Sequence, residues 1–346
     1  MGKYTLERNN KPKSLLITGA AGHVGSNLCQ WLLDNQPDYK ILALDNLSGG
    51  YLEWIPKECQ IYIRNCGDDL EDIFTENDVR IVYHCAAEAA ESVANFNRKF
   101  YYTSNVVNSA NIINFCIKYP VDRLVYFSSM AVYGHNPVPF TEDQIPHPAD
   151  CYGIGKYAIE LDLESAKNQH GLRYTIVRPH SVYGPNQNLW DAYRNVLAIW
   201  MRQVLSSQPI SIYGDGSQKR AFTFIDDIME PLWKCATEES TLHQVFNIGN
   251  DEEISINELA DFFELEVEKL DSKYKVLRKH FPQPFEVQNA YSDHSKVKSI
   301  LGLECKTDIV DGLTKMWEWA QNQPKRELQT FDEFELEVEL PEQFKK

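Results

Sequence analysis

The sequence has no apolar run approaching the roughly 20 residues that cross a bilayer. Its opening stretch, from Met1 to Lys13, is polar and lacks the apolar core of a secretory leader. A membrane span is therefore not expected, and a cytoplasmic location is. Positive charge is also scarce: 34 Lys and Arg stand against 50 Asp and Glu, a net charge of −16. So acidic a chain is poorly suited to a nucleic acid or an anionic membrane surface, and an anionic small molecule would need a local basic pocket. None of the eight cysteines forms a Cys-x-x-Cys pair or stands at zinc-finger spacing from a histidine. A disulfide framework and a structural metal are thus disfavoured, and no metal site is expected. Cys85 and Cys116 fall inside apolar runs, as buried free thiols do. There is no internal repeat.

What is present is a core-forming chain, 43% hydrophobic over 346 residues, long enough for two lobes at about 150 residues each. Short apolar runs at 14–18, 41–44, 61–63, 81–84, 124–127 and 174–177 read as buried strands. Helical patterns at 27–33, 105–119 and 152–168 fall between them. This alternation predicts an α/β fold, a Rossmann-like doubly wound parallel sheet with helices on both faces. After Gly184-Pro185 the texture changes to shorter elements separated by Pro and Gly, with patterns at 193–205, 210–213, 221–225, 227–235 and a strand at 245–248. We divide the chain into residues 1–185, a cofactor-binding domain joined by 221–250, and a smaller mixed α/β C-terminal substrate lobe from 186–220 and 251–330. The segment 331–346 is an acidic tail, readable either as disordered or as an added edge strand.

The first strand runs directly into Gly19-Ala20-Ala21-Gly22-His23-Val24-Gly25. One glycine makes the tight turn, a second admits a pyrophosphate to the backbone, and a third allows close helix–strand packing. The helix that begins near His23 then aims its N–H groups at the phosphates. Asp45, followed by Asn46, ends the second strand, where a carboxylate binds ribose hydroxyls and repels a 2′-phosphate. NAD is therefore the expected cofactor. Tyr152 and Lys156 are four apart at a helix start and share a face. A nearby ammonium favours the phenolate of a tyrosine whose ordinary pKa is about 10. Ser129 stands just past the fifth strand, where a hydroxyl can pass a proton between a substrate and Tyr152. The candidate catalytic residues are Ser129, Tyr152 and Lys156.

Together these residues resemble the extended short-chain dehydrogenase/reductase family, in its nucleotide-sugar epimerase/dehydratase branch, and within it the UDP-hexose 4-epimerases. The resemblance runs from about Ser14 to Leu301 and includes Gly67-Asp68, His84-Cys85-Ala86-Ala87, Ser128-Ser129-Met130-Ala131-Val132-Tyr133-Gly134, the stretch from Arg178 to Pro185, and Gly214-Asp215-Gly216 leading to Arg220. It implies that Asp68 contacts adenine, that Ala86 and Ala87 line the cofactor, and that Asn105 sits near the strand ends. It also implies that Arg220 grips a substrate diphosphate, with Arg278 as a further substrate-binding cation. The family often has Asn where this chain has Ser181, a shorter side chain, which implies that this substrate contact is lost or bridged by water. His180 is an alternative donor there, although a packed histidine is the simpler reading.

Members of the family that expel water carry an Asp-Glu pair after the catalytic hydroxyl, and those that decarboxylate or epimerise at C3 and C5 carry a Glu or a Cys. Here Met130 and Ala131 stand at those positions, and neither transfers a proton. The resemblance thus implies a 4-epimerase acting on a nucleotide-diphosphate sugar. A 4-keto-sugar reductase or another oxidation-based isomerase is the alternative, and a non-catalytic NAD sensor, which usually loses the Tyr or Lys, fits less well. Tyr291-Ser292-Asp293-His294-Ser295-Lys296 resembles the stretch that places a gate beside the C2 substituent; it puts Ala290 there, small enough for an N-acetyl group. A homodimer paired through helices near 97–119 and 152–169 is implied as well.

Overall fold

The computed structural model describes residues 11–282, 287–341 and 344. Most of the stretch from Met1 to Lys13, four residues of the second lobe and four of the tail lie outside the described residues. In chain order the first half runs β1 (Lys13–Thr18), α1 (His23–Asn35), β2 (Lys40–Asp45), β3 (Gln60–Ile63), α2 (Glu71–Glu76) and β4 (Asp78–His84). There follow α3 (Glu91–Ala94), α4 (Arg98–Tyr102), α5 (Asn108–Lys118), β5 (Arg123–Phe127), α6 (Cys151–His170) and β6 (Tyr174–Pro179). The second half adds β7 (Val182–Tyr183), α7 (Val196–Leu205), β8 (Ile210–Tyr213), β9 (Lys219–Ala221), β10 (Thr223–Phe224), α8 (Met229–Thr237) and β11 (Val245–Ile248). Last come β12 (Glu253–Ser255), α9 (Ile256–Leu270), β13 (Arg278–Phe281), β14 (Asn289–Ala290), α10 (Ser295–Leu301) and α11 (Ile309–Gln321).

Seven strands form one parallel sheet in the order β11-β6-β5-β4-β1-β2-β3. The apolar runs are continuous because both faces are buried. Leu15 and Ile17 of β1 join one core with Leu28 and Leu32 of α1 and Leu232 of α8. Leu16 between them joins the opposite core with Ile112 and Ile113 of α5 and Ile159 and Leu163 of α6. Each such side chain contributes about 1.5–3 kcal/mol by leaving water. The chain order reverses between β1 and β4, and the crevice beyond the carboxyl ends of these strands is where open α/β sheets bind ligands.

Segment 221–250 returns to this sheet: α8 packs on β5, and β11 extends the sheet beside β6. The smaller lobe contains α7, α9 and α11 with two short sheets, β12-β9-β14 and β13-β8. Its long aromatics, Trp200 and Trp317, are fully buried around Phe263.

The structure departs from the expected elements in three places. The helix expected over 105–119 starts as a π-helical turn, Thr103–Val107, which runs on from α4 before it and into α5 after it. That turn holds Asn105, whose side chain is committed to the backbone of Glu88. The helix expected from Tyr193 begins only at Val196, because Asn195 has a positive φ of 62° and Asp191 accepts from Tyr193 N and Arg194 N. The described tail residues form no strand. They cross the surface irregularly, with Leu340 buried and Leu336 N donating to Phe96 O. All eight cysteines are free thiols. Among the described residues no helix is long and apolar enough to cross a membrane, and no three His, Cys, Asp or Glu cluster as metal ligands.

Candidate active site

A cleft of about 930 Å3 opens at the carboxyl ends of β1, β2, β4, β5 and β6 and continues beneath the smaller lobe. At its dinucleotide end the chain leaves β1 through Gly19, whose φ of +70° a side chain rarely adopts. A Cβ on Gly25 would stand 2.1 Å from Gly19 O, so that turn of α1 closes only with glycine. Helix α1 has Gly22 as N-cap and neither a side-chain cap nor an acid in its first turn. Its positive end is therefore left open for phosphate oxygens. His23, at the start of α1, is pushed down to about 3 by burial and is neutral; its Nε2 is buried without a partner among the described residues.

Asp45 ends β2 with its carboxylate accepting from Ala21 N at 2.9 Å and Leu47 N at 2.6 Å. Burial raises its pKa, and these backbone donors oppose the rise. The geometry fits a dinucleotide: an uncapped helix, glycines where a Cβ would collide, a buried donor without a partner and a carboxylate at the strand end. Gly19, Gly22, His23, Val24, Gly25, Asp45, Asn46, Ala86 and Ala87 all line this part of the cleft.

At the other end, Asp150 caps α6 by accepting from Gly153 N at 2.8 Å. The next turn presents Tyr152 and Lys156 on the cleft side. Lys156 Nζ donates to Phe127 O at 2.6 Å and lies 5.8 Å from the centre of the Tyr152 ring. Burial pushes the Lys156 ammonium down to about 8, and nearby Cys85 and Glu160 oppose that shift. Burial also holds the Tyr152 hydroxyl well above the usual tyrosine value, helped by the charge of Glu91, while a hydrogen bond with Ser129 pulls the other way. Ser129, Tyr152 and Lys156 thus converge on one wall.

A buried network stands behind that wall. Ser128 Oγ donates to Glu160, which forms a two-pronged ion pair with Arg178 at 2.5 and 2.9 Å. Arg178 also donates to Tyr133 Oη at 2.6 Å, and Tyr133 donates to Asn247 at 2.7 Å. These bonds tie the Ser128-Ser129 corner to α6, β6 and β11. His84 bridges Thr18 at 2.7 Å and Ser109 at 2.8 Å, and burial pushes it down to about 3.

Three expected contacts are not brought to the cleft lining. Asp68 is exposed, and its carboxylate accepts from Asn65 N, holding the turn whose Asn65 and Cys66 do line the cleft. Asn105 is buried one layer back; it accepts from Glu88 N and donates to Glu88 O, both at 2.8 Å. Arg278, on β13 at the side of the smaller lobe, is ion-paired to Asp261 and Glu264 of α9. The strand's pairing with β8 turns its guanidinium toward that helix and away from the lining.

Ser181, Arg220 and Ala290 do line the cleft. Arg220 is steadied by Gln288 O at 3.0 Å and Val287 O at 2.9 Å. Ala290 is buried on β14 beside β9, in a small core with Val132 and Phe140. His180 is packed away from the cleft, bonded to Ser292 at 2.8 Å.

Several lining residues had no sequence signal of their own: Glu88, Glu91, Tyr193, Arg194 and the tail residues Glu339 and Phe344. Arg194 is half-hidden between Asp191 at 2.6 Å and Glu88 at 3.7 Å. The one hint was local, a Tyr-Arg pair in a polar break before an apolar helix.

The profile of the NAD dependent epimerase/dehydratase family matches residues 15–249. The chain is similar to the crystal structure of a UDP-glucose 4-epimerase from Thermotoga maritima with UDP-glucose, at 30% identity and a TM-score of 0.81, covering 88% of this chain and 98% of that one. It is similar to a UDP-N-acetylglucosamine 4-epimerase from Methanobrevibacter ruminantium in complex with UDP-N-acetylmuramic acid, at 27% identity and a TM-score of 0.80, covering 89% and 98%. A UDP-glucuronic acid 4-epimerase from Bacillus cereus, in complex with UDP-glucuronic acid and NAD, matches at 26% identity and a TM-score of 0.79 over 89% and 98%. With the glycine turn, Asp45 and the Ser129, Tyr152 and Lys156 wall all in one cleft, the chain belongs to the NAD dependent epimerase/dehydratase family and is an isomerase with NAD as its cofactor.

Proposed function

We propose that the protein inverts C4 of a UDP-hexose or UDP-N-acetylhexosamine through a transient 4-keto sugar. The observation that carries this reading is the convergence of Ser129, Tyr152 and Lys156 on one wall of a cleft that also holds Arg220. When bound, NAD supplies the acceptor for the hydride that leaves C4 and the donor that returns it. Tyr152 takes the C4 hydroxyl proton and gives it back, with Ser129 hydrogen-bonded to it as the relay. Lys156 stabilises the phenolate by its charge and is itself held by Phe127 O. Arg220 offers a steadied guanidinium to a diphosphate. Met130 and Ala131 add no proton donor, so the chemistry ends with return of the hydride to the other face.

The small Ala290 supports a substrate with an N-acetyl group at C2. The exposed Val107, Ile154 and Leu161, on the π-helical turn and on α6, support pairing with a second copy through these helices. A cytoplasmic homodimer is the corresponding reading. The test is a panel of UDP-, GDP-, dTDP- and CDP-sugars followed by NMR for inversion at C4 with no net change in cofactor redox state. Tyr152→Phe should retain nucleotide-sugar binding and lose turnover by orders of magnitude. Net oxidation or reduction by the wild type, or near-normal turnover by the variant, would overturn the proposal.

A further inference from the structure

The acidic C-terminal segment is not used by the chemistry above, yet it forms part of the cleft. It leaves the smaller lobe at Gln329, which pairs with the backbone of Trp190 and Ala192. Phe331 N then donates to Tyr193 Oη at 3.2 Å. The segment next reaches the cofactor-binding domain: Glu335 accepts from Lys99 N at 2.8 Å and Phe100 N at 2.9 Å, and Glu335 N donates to Asn97. Three aromatics knit the two sides together. Phe331 stacks on Tyr193 at 5.5 Å and meets Phe100 edge-on at 5.5 Å. Phe334 meets Phe96 at 6.5 Å, and Phe344 meets Tyr193 at 5.5 Å. Val338, Glu339, Pro341 and Phe344 then line the same cleft as Tyr152.

The charge of this wall is one-sided. Between Phe331 and Leu340 the sequence has five carboxylates and no cation. Glu339 stands at the cleft in a left-handed backbone conformation, φ 60°. Arg194, which also lines the cleft, is already paired with Asp191 and Glu88.

We infer that the segment 331–341, with Phe344, is the outer wall of the sugar pocket: it straps the two lobes together, retains the 4-keto sugar while it turns over, and disfavours a sugar bearing its own carboxylate. This inference rests on the proposed 4-epimerase reading and deepens it. A 4-epimerase must keep hold of a UDP-linked 4-keto sugar, uncharged in its ring, that has given up a hydride to the cofactor and a proton to Tyr152. An open mouth would let that ketone escape and strand the enzyme in its reduced form. A uronate held against this wall would meet the Glu339 carboxylate, while Arg194 is already ion-paired and Arg220 is assigned to the diphosphate. A neutral hexose or N-acetylhexosamine carries no such penalty.

Two variants test this. Phe331→Ala combined with Phe334→Ala loosens the strap, and Glu339→Lys reverses charge at an exposed position. With UDP-glucose in excess, the double variant should accumulate reduced cofactor, seen by near-ultraviolet absorbance, and release 4-keto sugar trapped by borodeuteride, each at least about tenfold above wild type. A double variant with native circular dichroism and wild-type leakage would overturn retention. By calorimetric titration the wild type should bind UDP-glucose more tightly than UDP-glucuronate, and Glu339→Lys should narrow that ratio by about tenfold. An unchanged ratio, or a wild type that prefers UDP-glucuronate, would overturn the charge selection. A wild type that binds both sugars and inverts neither of them nor UDP-N-acetylglucosamine refutes the 4-epimerase reading, and the binding ratio then decides the charge selection by itself. A wild type that binds none of the three refutes both.

Discussion

Replacing Lys156 with Met removes a buried ammonium while keeping an unbranched side chain of similar reach. The ammonium lies 5.8 Å from the centre of the Tyr152 ring. At about 6 Å and an effective dielectric near 20, one unit charge stabilises a phenolate by about 2.8 kcal/mol, or about two pK units. Burial already holds Tyr152 above its ordinary value, so little other support for the phenolate remains. Lys156→Met should therefore lower kcat about 100-fold near neutral pH. The pH dependence separates this from mere misplacement. Lys156 titrates at about 8: below that pH the wild type has its ammonium, and above it the wild type loses it. The ratio of wild-type to variant activity should fall as pH rises past about 8, because both enzymes then lack the charge. The variant's own activity should keep rising with pH as Tyr152 ionises. Stability should hold, since Met relieves the cost of burying a cation while losing one hydrogen bond to Phe127 O. The assay is NMR of C4 inversion from pH 6 to pH 9.5, with a thermal melt at each end. A fold-loss that is constant across the range would refute the electrostatic role.

Three further outcomes follow from the geometry. Ala290→Tyr should abolish turnover and binding of a UDP-N-acetylhexosamine and spare the plain UDP-hexose; equal loss of both, measured by NMR and calorimetry, would sink the gate. Glu160→Gln leaves Arg178 buried without its charge partner, a loss of about 3–5 kcal/mol. At about 2.1 cal/mol/K of unfolding entropy per residue that is a fall in Tm of about 4–7 °C by scanning calorimetry, and a loss under about 1 kcal/mol would show the pair to be dispensable. His23 and His84 are both pushed by burial from the ordinary 6.5 to about 3. The unfolded chain then binds protons that the folded chain refuses, so the contribution of these two histidines to stability should be flat above pH 6.5 and fall between there and about pH 3. The slope approaches about 1.4 kcal/mol per pH unit for each histidine, and denaturant titrations that show no loss between pH 6.5 and pH 4 would contradict it.

How much of this site was legible in the sequence depends on how far apart the cooperating residues lie. Gly19, Asp45, Tyr152 and Lys156 announce themselves because each acts within a turn or at a strand end, and the motif is local. The sheet was legible for a similar reason: strands buried on both faces carry unbroken apolar runs, as residues 15–17 of β1, 41–44 of β2 and 124–127 of β5 do, and only the edge strand β3 exposes its isoleucines. Asp68 and Arg278 show what a role carried over by resemblance does not include. Each has the expected charge, and the structure adds a local partner: Asp68 accepts from Asn65 N, and Arg278 is ion-paired to α9. Only the packed structure decides such competition between neighbours. Arg194 and Glu88 lie too far apart in sequence for any periodicity to link them. They meet because a π-helical turn lets Asn105 fix the Glu88 backbone while Asp191 holds Arg194. The tail is the sharpest case. Its alternation of Phe, Leu and Val with Glu fits an edge strand, and its charge fits disorder. Its described residues form no strand: Tyr193, Phe96 and Phe100 offer rings to its apolar side while the N–H groups of Lys99 and Phe100 take up Glu335. A segment whose conformation is set by two surfaces from different lobes has no pattern of its own to read, and for the same reason it reports on whether those lobes are closed.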